Sequence, residues 1–297
     1  DVRRVIPRIN WQSGTVYEMY KNNYSSTNRT SQTATSGLYG SNYYILTSEF
    51  KVYLCINNGS DPENPKGKTS KFEPTHTSTT VPAADNTATG DGYQWKYLYT
   101  IAPADIVKFV TTSYIPLPEK WGDVSTKTIK DAAVDGKLET IVIKRRGTAT
   151  VDGVDGDISG IPIIGDGTGG TATATVTNGV VSEIKLSNTN SSGYTYAHVR
   201  FVNGTWGGKK LVVGNLTDEP QFEVIIPPKG GHGADIYREL GAFRVMVYSK
   251  FDNNINDKTD YIVGNDFSRV GIVKDPTDLS GTSVLNKRTA TSLGALK

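Results

Sequence analysis

Apolar positions recur at every second residue through much of this chain, most clearly at Tyr93, Trp95, Tyr97 and Tyr99. Gln94, Lys96, Leu98 and Thr100 stand between them, so the period of two predicts a β-strand with four aromatics on one face. Gly90, Asp91 and Gly92 form the turn before it. Upstream, NYYILTSEF and KVYLCINN read as two further strands. Apolar residues at 16, 17 and 20 predict a short helix around Val16 to Tyr20. A second helix opens at Pro103-Ala104-Asp105, with proline near its first turn. Between KVYLCINN and the aromatic strand runs a Pro/Gly-punctuated loop, Gly59 to Gly92, of a length uncommon unless it is functional or disordered.

The pattern changes after Asp123. ETIVIKRRG and TATATVTNGVVSEIKLSN are strands separated by Gly-rich turns. A three-residue loop, Thr177-Asn178-Gly179, would pair Val176 with Val180 and Ala172 with Ile184, placing all four on one face. A one-residue slip would exchange the faces. A second hairpin is expected at Asn203-Gly204, between YAHVRFV and KKLVV. Beyond Pro220, FEVIIPP and the run around 243–248 read as strands, DYIVGNDFSRVGIVKDP as loop then strand, and the tail from Thr277 as polar and extended. The expected organisation is a β-rich core in two parts, 1–123 and 220–297, with an inserted Gly/Thr-rich β-module at 124–219. The fold class is mainly β with a few short helices, a β-sandwich-like core carrying the inserted module.

Composition narrows the function classes. Hydrophobic residues make up 36% of 297 positions, and the excess of Thr, Ser, Asn and Gly favours short strands, turns and wetted surfaces. Lys plus Arg (32) nearly balances Asp plus Glu (30), which argues against nucleic-acid binding. The tight cluster Lys144-Arg145-Arg146 is expected to be a solvated strand end. Cys55, the single cysteine, excludes an intrachain disulfide and sits in an apolar run as a buried, inert thiol. The Asn-x-Ser/Thr triplets at Asn23, Asn28, Asn58, Asn190, Asn203 and Asn215 are expected by chance in so Ser/Thr-rich a chain. No apolar run approaches the ~18 residues of a membrane span. The chain opens at Asp1 inside an apolar-basic stretch, and an N-terminal portion is expected to be missing or processed away.

Candidate chemistry is sparse. Gly165-x-Gly167-x-x-Gly170 matches a dinucleotide fingerprint literally, but the strand-like TATATV follows where a helix N-terminus is needed. Asp155-x-Asp157-x-Ser159-Gly160, with Asp166 twelfth, resembles a calcium loop but lacks the bidentate Glu and contains Pro162. His76, His198 and His232 are far apart; His232, in KGGHGAD, is expected to be a hydrogen-bonded imidazole in a structural turn. Trp11, Trp121 and Trp206 are expected to be packing anchors, not sugar platforms. Catalytic residues, cofactor, metal and small-molecule substrate are therefore all assigned as none.

Two segments, in order, resemble the baseplate wedge family of contractile-tailed, T4-like phages, of the T4 baseplate protein eight and cyanophage type. The first is VIPRINWQSGTVYEMY leading through YYILTSEFKVYLCINN to GDGYQWKYLYTIAPADI and YIPLP. The second is IPPKGGHGADIYRELGAFRVMVYSKF followed by NDFSRVGIVKDP. The resemblance implies a mostly β virion structural subunit in the tail baseplate, made in the host cytoplasm. Its implied partners are other wedge proteins and a second copy of itself. The loops at 25–36 and 59–92 and the C-terminal tail would then be contact segments, and deleting 60–88 would block assembly while sparing the fold. The alternative is a tail-fibre or receptor-binding module recognising a surface glycan. A glycan depolymerase comes third, since it would need paired carboxylates in a groove.

Overall fold

Strand-forming residues dominate the computed structural model, which describes residues 1–86, 89–187, 190–251 and 267–274. The chain is mainly β with three short α-helices among these residues. In order the elements are β1 (Val2–Pro7), β2 (Tyr44–Leu46), β3 (Lys51–Asn58), β4 (Tyr93–Thr100), α1 (Pro103–Phe109), β5 (Tyr114–Pro116), α2 (Lys127–Asp131), β6 (Ile141–Arg145) and β7 (Ala149–Val151). There follow β8 (Gly156–Gly165), β9 (Thr171–Thr177), β10 (Val180–Leu186), β11 (Ala197–Val199), β12 (Gly204–Trp206) and β13 (Lys209–Val213). The last are β14 (Gln221–Val224), α3 (Ile236–Glu239), β15 (Arg244–Phe251) and β16 (Phe267–Lys274).

Two sheets carry the aromatic region. One has the order β16-β15-β1-β5, joining both ends of the described chain, and the other is β2-β3-β4. The aromatic strand exists, but its four rings do not share a face. Val52 pairs with Tyr99 and Tyr53 with Tyr97, so Leu98 is an extra residue. That bulge turns Tyr99 to the side opposite Tyr93, Trp95 and Tyr97. Both faces are covered, so the strand needs apolar surface on each. No helix forms at 16–20. Tyr17 through Tyr20 are all buried, which a surface helix could not achieve. The segment is extended, with Tyr17 N–H donating to the Tyr93 hydroxyl and Tyr20 N–H to the Cys55 carbonyl.

The second region contains the sheets β10-β9-β8-β11, β12-β13-β7 and β14-β6. Its first hairpin corrects the expected register. The loop has two residues, Asn178 (φ 52°) and Gly179 (φ 73°), with Val181 opposite Val176. This is the left-handed pair that a tight hairpin needs. A bulge between Val181 and Glu183 then restores the apolar face, so Val181 and Ile184 join Ala172, Ala174 and Val176 in the core. The second hairpin turns at Gly207-Gly208, not at Asn203-Gly204, because Ala197–Val199 is already paired to β8. Asn203 instead accepts the Val213 N–H, at 2.7 Å.

Two large buried clusters result, beside a small one of Val5, Phe109 and Met246. The larger is rich in tyrosine and draws on residues 6–142 and 225–242. The other, from residues 138–226, is almost all Ile, Val, Leu and Ala around Tyr194 and Phe201.

Candidate partner interface

The candidate chemistry resolves into structure. Gly165, Gly167 and Gly170 surround the buried ring of Tyr194. A Cβ would lie 2.9 Å from the ring at Gly165, 2.4 Å at Gly167 and 2.8 Å from the hydroxyl at Gly170. The glycines make room for a tyrosine that is anchored by Ile163 and Gly170. The aspartates of the calcium-like run serve separate turns: Asp155 accepts from Asn178 and Gly179, Asp157 from Thr175, and Asp166 from Thr195 and Tyr196. The Thr195 hydroxyl and amide hold the Asp166 carboxyl down to about 2. Among the described residues, no group of three or more His, Cys, Asp or Glu is placed to hold a metal.

Histidines also act as braces. His76 Nδ1 accepts from Ser78 N–H, which leaves Nε2 to donate to the Trp95 carbonyl at 3.1 Å. Burial lowers its basicity. His232 lies in the expected turn, buried, with Nδ1 bonded to Glu239 and the Tyr20 ring edge-on at 4.6 Å. Glu239 also accepts from Gly233 N–H at 2.8 Å. Lys96 and Glu139 complete a buried polar chain, with 3.4 Å between them and 4.0 Å from Glu139 Oε2, which makes no hydrogen bond, to His232 Nε2. The chain pins β4, the approach to β6, the glycine turn and α3 to one another. Sequence spacing could not find it, because its members lie far apart along the chain. Cys55 is buried, and burial pushes its thiol well above the ordinary range. His198 stands exposed on β11, away from this network.

The expected contact loops are integral to the body. Glu18, 1% exposed, accepts from the amides of Gln32, Thr33 and Asn42 at 2.7–2.9 Å, which ties down loop 25–36. Its signal in the sequence was a carboxylate set between Tyr17 and Met19. In the long loop, Ser70 is fully buried and accepts from the Trp11 indole, the Lys68 carbonyl accepts from Tyr93, and Asp91 accepts from Lys71 N–H. Arg146 is not a solvated strand end. It grips Glu63 with two nitrogens, at 2.9 and 2.6 Å, and donates to the carbonyls of Val181 and Ser182. Trp121 is buried, and its indole donates to the Gly233 carbonyl at 2.8 Å; Trp206, half-buried, stacks under Arg200.

The surface offers contact groups. Tyr39 and Phe243 pack edge to face at 5.1 Å while remaining 47% and 42% exposed. Val107, Val124, Leu216 and Phe72 are also exposed. A cleft of about 250 Å³ lies between residues 80–86 and β10, lined by Leu138 and Ile184 together with Gln94, Lys137, Glu139 and Glu183. Its lining holds neither His, Cys nor Ser. Its polar lining is Thr, Asn, Gln, Lys and Glu. The tail from Thr277 lies outside the described residues.

No helix among the described residues is long and apolar enough to cross a membrane. No curated protein and no solved structure matches the chain. Residues 46–151, from the end of β2 through β7, match the family model Phage-Gp8, described as Bacteriophage T4, Gp8, and with the mostly β architecture that match supports a phage structural role.

Proposed function

We propose that this chain is a structural subunit of the baseplate wedge of a contractile-tailed phage, acting through protein–protein interfaces in the virion. The carrying observation is the match over residues 46–151, which spans the aromatic strand and the long loop folded across it. The match leaves out the second resembling segment, 226–276, so the wedge assignment is our extension of it. The architecture suits the role. Ionisable groups brace backbone, loops are fixed by buried hydrogen bonds, and exposed aromatics such as Tyr39 and Phe243 are the residue types that anchor interfaces. The partners in this reading are neighbouring wedge proteins and a second copy of the chain, with interfaces of about 2,000 Å² or more.

Light scattering coupled to size exclusion tests the proposal. A dimer, or a monomer that enters a larger complex only when mixed with other tail proteins, is expected. A trimer that survives detergent would overturn it in favour of a fibre module.

A further inference from the structure

Arg4 occupies the middle of β1, held between β15 and β5, and is 8% exposed. Its guanidinium carbon lies 4.5 Å from the centre of the Tyr237 ring. That ring is fixed, because its hydroxyl sits 2.8 Å and 3.1 Å from the carbonyl oxygens of Pro118 and Glu119. The Arg4 side chain nevertheless makes no ion pair with any described residue, and its buried Nε has no hydrogen-bond partner. The neighbouring Arg3 is a useful contrast. It bonds Asp105 and Glu119, both at 3.0 Å, and its own strand's Val2 carbonyl at 2.9 Å. The Glu119 carboxylate is taken by Arg3, and Asp235, which accepts from the Arg238 amide, keeps its charge and acts on Arg4 only from beyond ion-pair distance.

A buried cation without a counter-ion is unfavourable, and buried charges are ordinarily paired. Burial presses the Arg4 guanidinium below its ordinary value, and Tyr237 and Asp235 offset this only in part. The guanidinium lies over the aromatic ring with its Nε buried, so the approach left to a ligand is through the two Nη groups, which match a carboxylate in two-point geometry. We propose that Arg4 and Tyr237 form a receptor for the carboxylate of an Asp or Glu side chain on a partner protein. The partner's acid would pair with the Arg4 guanidinium edge while Tyr237 holds the plane of the cation. The inference goes beyond the wedge assignment, because it specifies the chemistry of the contact whatever assembly supplies it.

The test uses the whole chain. The Arg Nε–Hε resonance of Arg4, identified by its absence in Arg4→Lys, is followed while sodium acetate is added, against acetamide and against sodium chloride at equal ionic strength. Saturable movement with acetate alone is expected. No movement, or the same movement with chloride, would overturn the receptor. In parallel, Arg4→Met should melt at the same or a higher temperature than the parent, because an uncompensated charge leaves the interior. Its capture by the other tail proteins should weaken by about 30-fold or more, as when one member of a buried charge pair is removed. A lower melting temperature with no acetate response would mean that Arg4 is a packing residue only. Undiminished capture by Arg4→Met would reject a protein carboxylate as the ligand, even if acetate binds the parent. Failure of this test leaves the wedge assignment standing, since oligomeric behaviour is measured separately.

Discussion

The aromatic core and the aliphatic core solve the same burial problem by different means. Around β3 and β4 the buried set includes Tyr17, Tyr43, Tyr53, Tyr93, Trp95 and Tyr99. Most of these rings carry a hydroxyl that must be paired, and the partners are backbone carbonyls: Glu239 for Tyr43, His76 for Tyr53, Lys68 for Tyr93 and Pro116 for Tyr99. Each pairing fastens a loop or a distant segment to the core. Around β8 to β10 the buried set is Ile158, Ile161, Ala172, Ala174, Val176 and Val181, which carry no polar side-chain atoms. There the hairpins are sequence neighbours and the turns do the ordering. The tyrosine core therefore makes its long-range fixtures through side-chain hydroxyls, while the aliphatic core, Tyr194 apart, makes them through backbone pairing such as β6 with β14 and β7 with β13.

The largest expected effect tests whether the long loop is part of the first core. Deleting 60–88 removes the buried Ser70, the Lys68 carbonyl that accepts from Tyr93, and the amide partner of Asp91. The deleted chain should fail to give cooperative unfolding in urea. A sharp transition near that of the parent would show that the loop only decorates the core. Next, Leu54→Ala in the first core and Ile161→Ala in the second should each cost about 2–5 kcal/mol. Because the aromatics are concentrated in the first cluster, near-ultraviolet circular dichroism reports mainly on it. Ile161→Ala should lower the far-ultraviolet midpoint while the near-ultraviolet transition barely moves. Coincident shifts in both signals would mean that the two cores unfold as one unit.

Glu18→Gln should have an intermediate effect. The carboxylate accepts three backbone amides and the Thr33 hydroxyl, and a neutral amide would turn a donor toward that nest. A loss of about 1.5–3 kcal/mol is expected, with new protease cleavage inside 25–36. Unchanged stability and no new cleavage would mean that the loop is held by other contacts.

The same contrast explains what could be read beforehand. Strands β3, β4, β9 and β10 and helix α1 were legible because their signals are local: alternation, β-branched residues, and a proline at the start of a helix. The bulges at Leu98 and between Val181 and Glu183 were not, because each reflects a compromise with the strand opposite. Once the Asn178-Gly179 turn takes two residues, a bulge is what returns Ile184 to the apolar face, and no local rule announces it. The 16–20 segment misled because its apolar spacing fits a helix, whereas its burial comes from the Tyr93 hydroxyl and the Cys55 carbonyl far along the chain. The buried Lys96–Glu139–His232–Glu239 chain, and Arg4 over Tyr237 without an ion pair among the described residues, were invisible for the same reason. Their members become neighbours only when the sheets close.

The smallest effect sharpens the contact between the two regions. Arg146, beside β6, clamps Glu63 of the long loop and the carbonyls of β10, so it touches both regions at once. Its guanidinium holds the Glu63 carboxyl below the ordinary value, with burial opposing. A carboxylate depressed in the folded chain contributes stability that is present above its unfolded value and is lost as pH falls through the folded one. Glu63 is 57% exposed at its side chain, so solvent screens the pair and the contribution should stay within about 1 kcal/mol. The measurable quantity is the difference in urea midpoint between the parent and Glu63→Gln. It should be constant from about pH 6 to 8 and shrink below about pH 4.3, the ordinary value for glutamate. Raising salt at neutral pH should shrink it as well. A difference that persists at low pH would show that Glu63 acts by packing and not by charge. The clamp would then rest on Asp61 of the same loop, 3.6 Å from the guanidinium, and on the bonds from Arg146 to the neutral carbonyls of Val181 and Ser182.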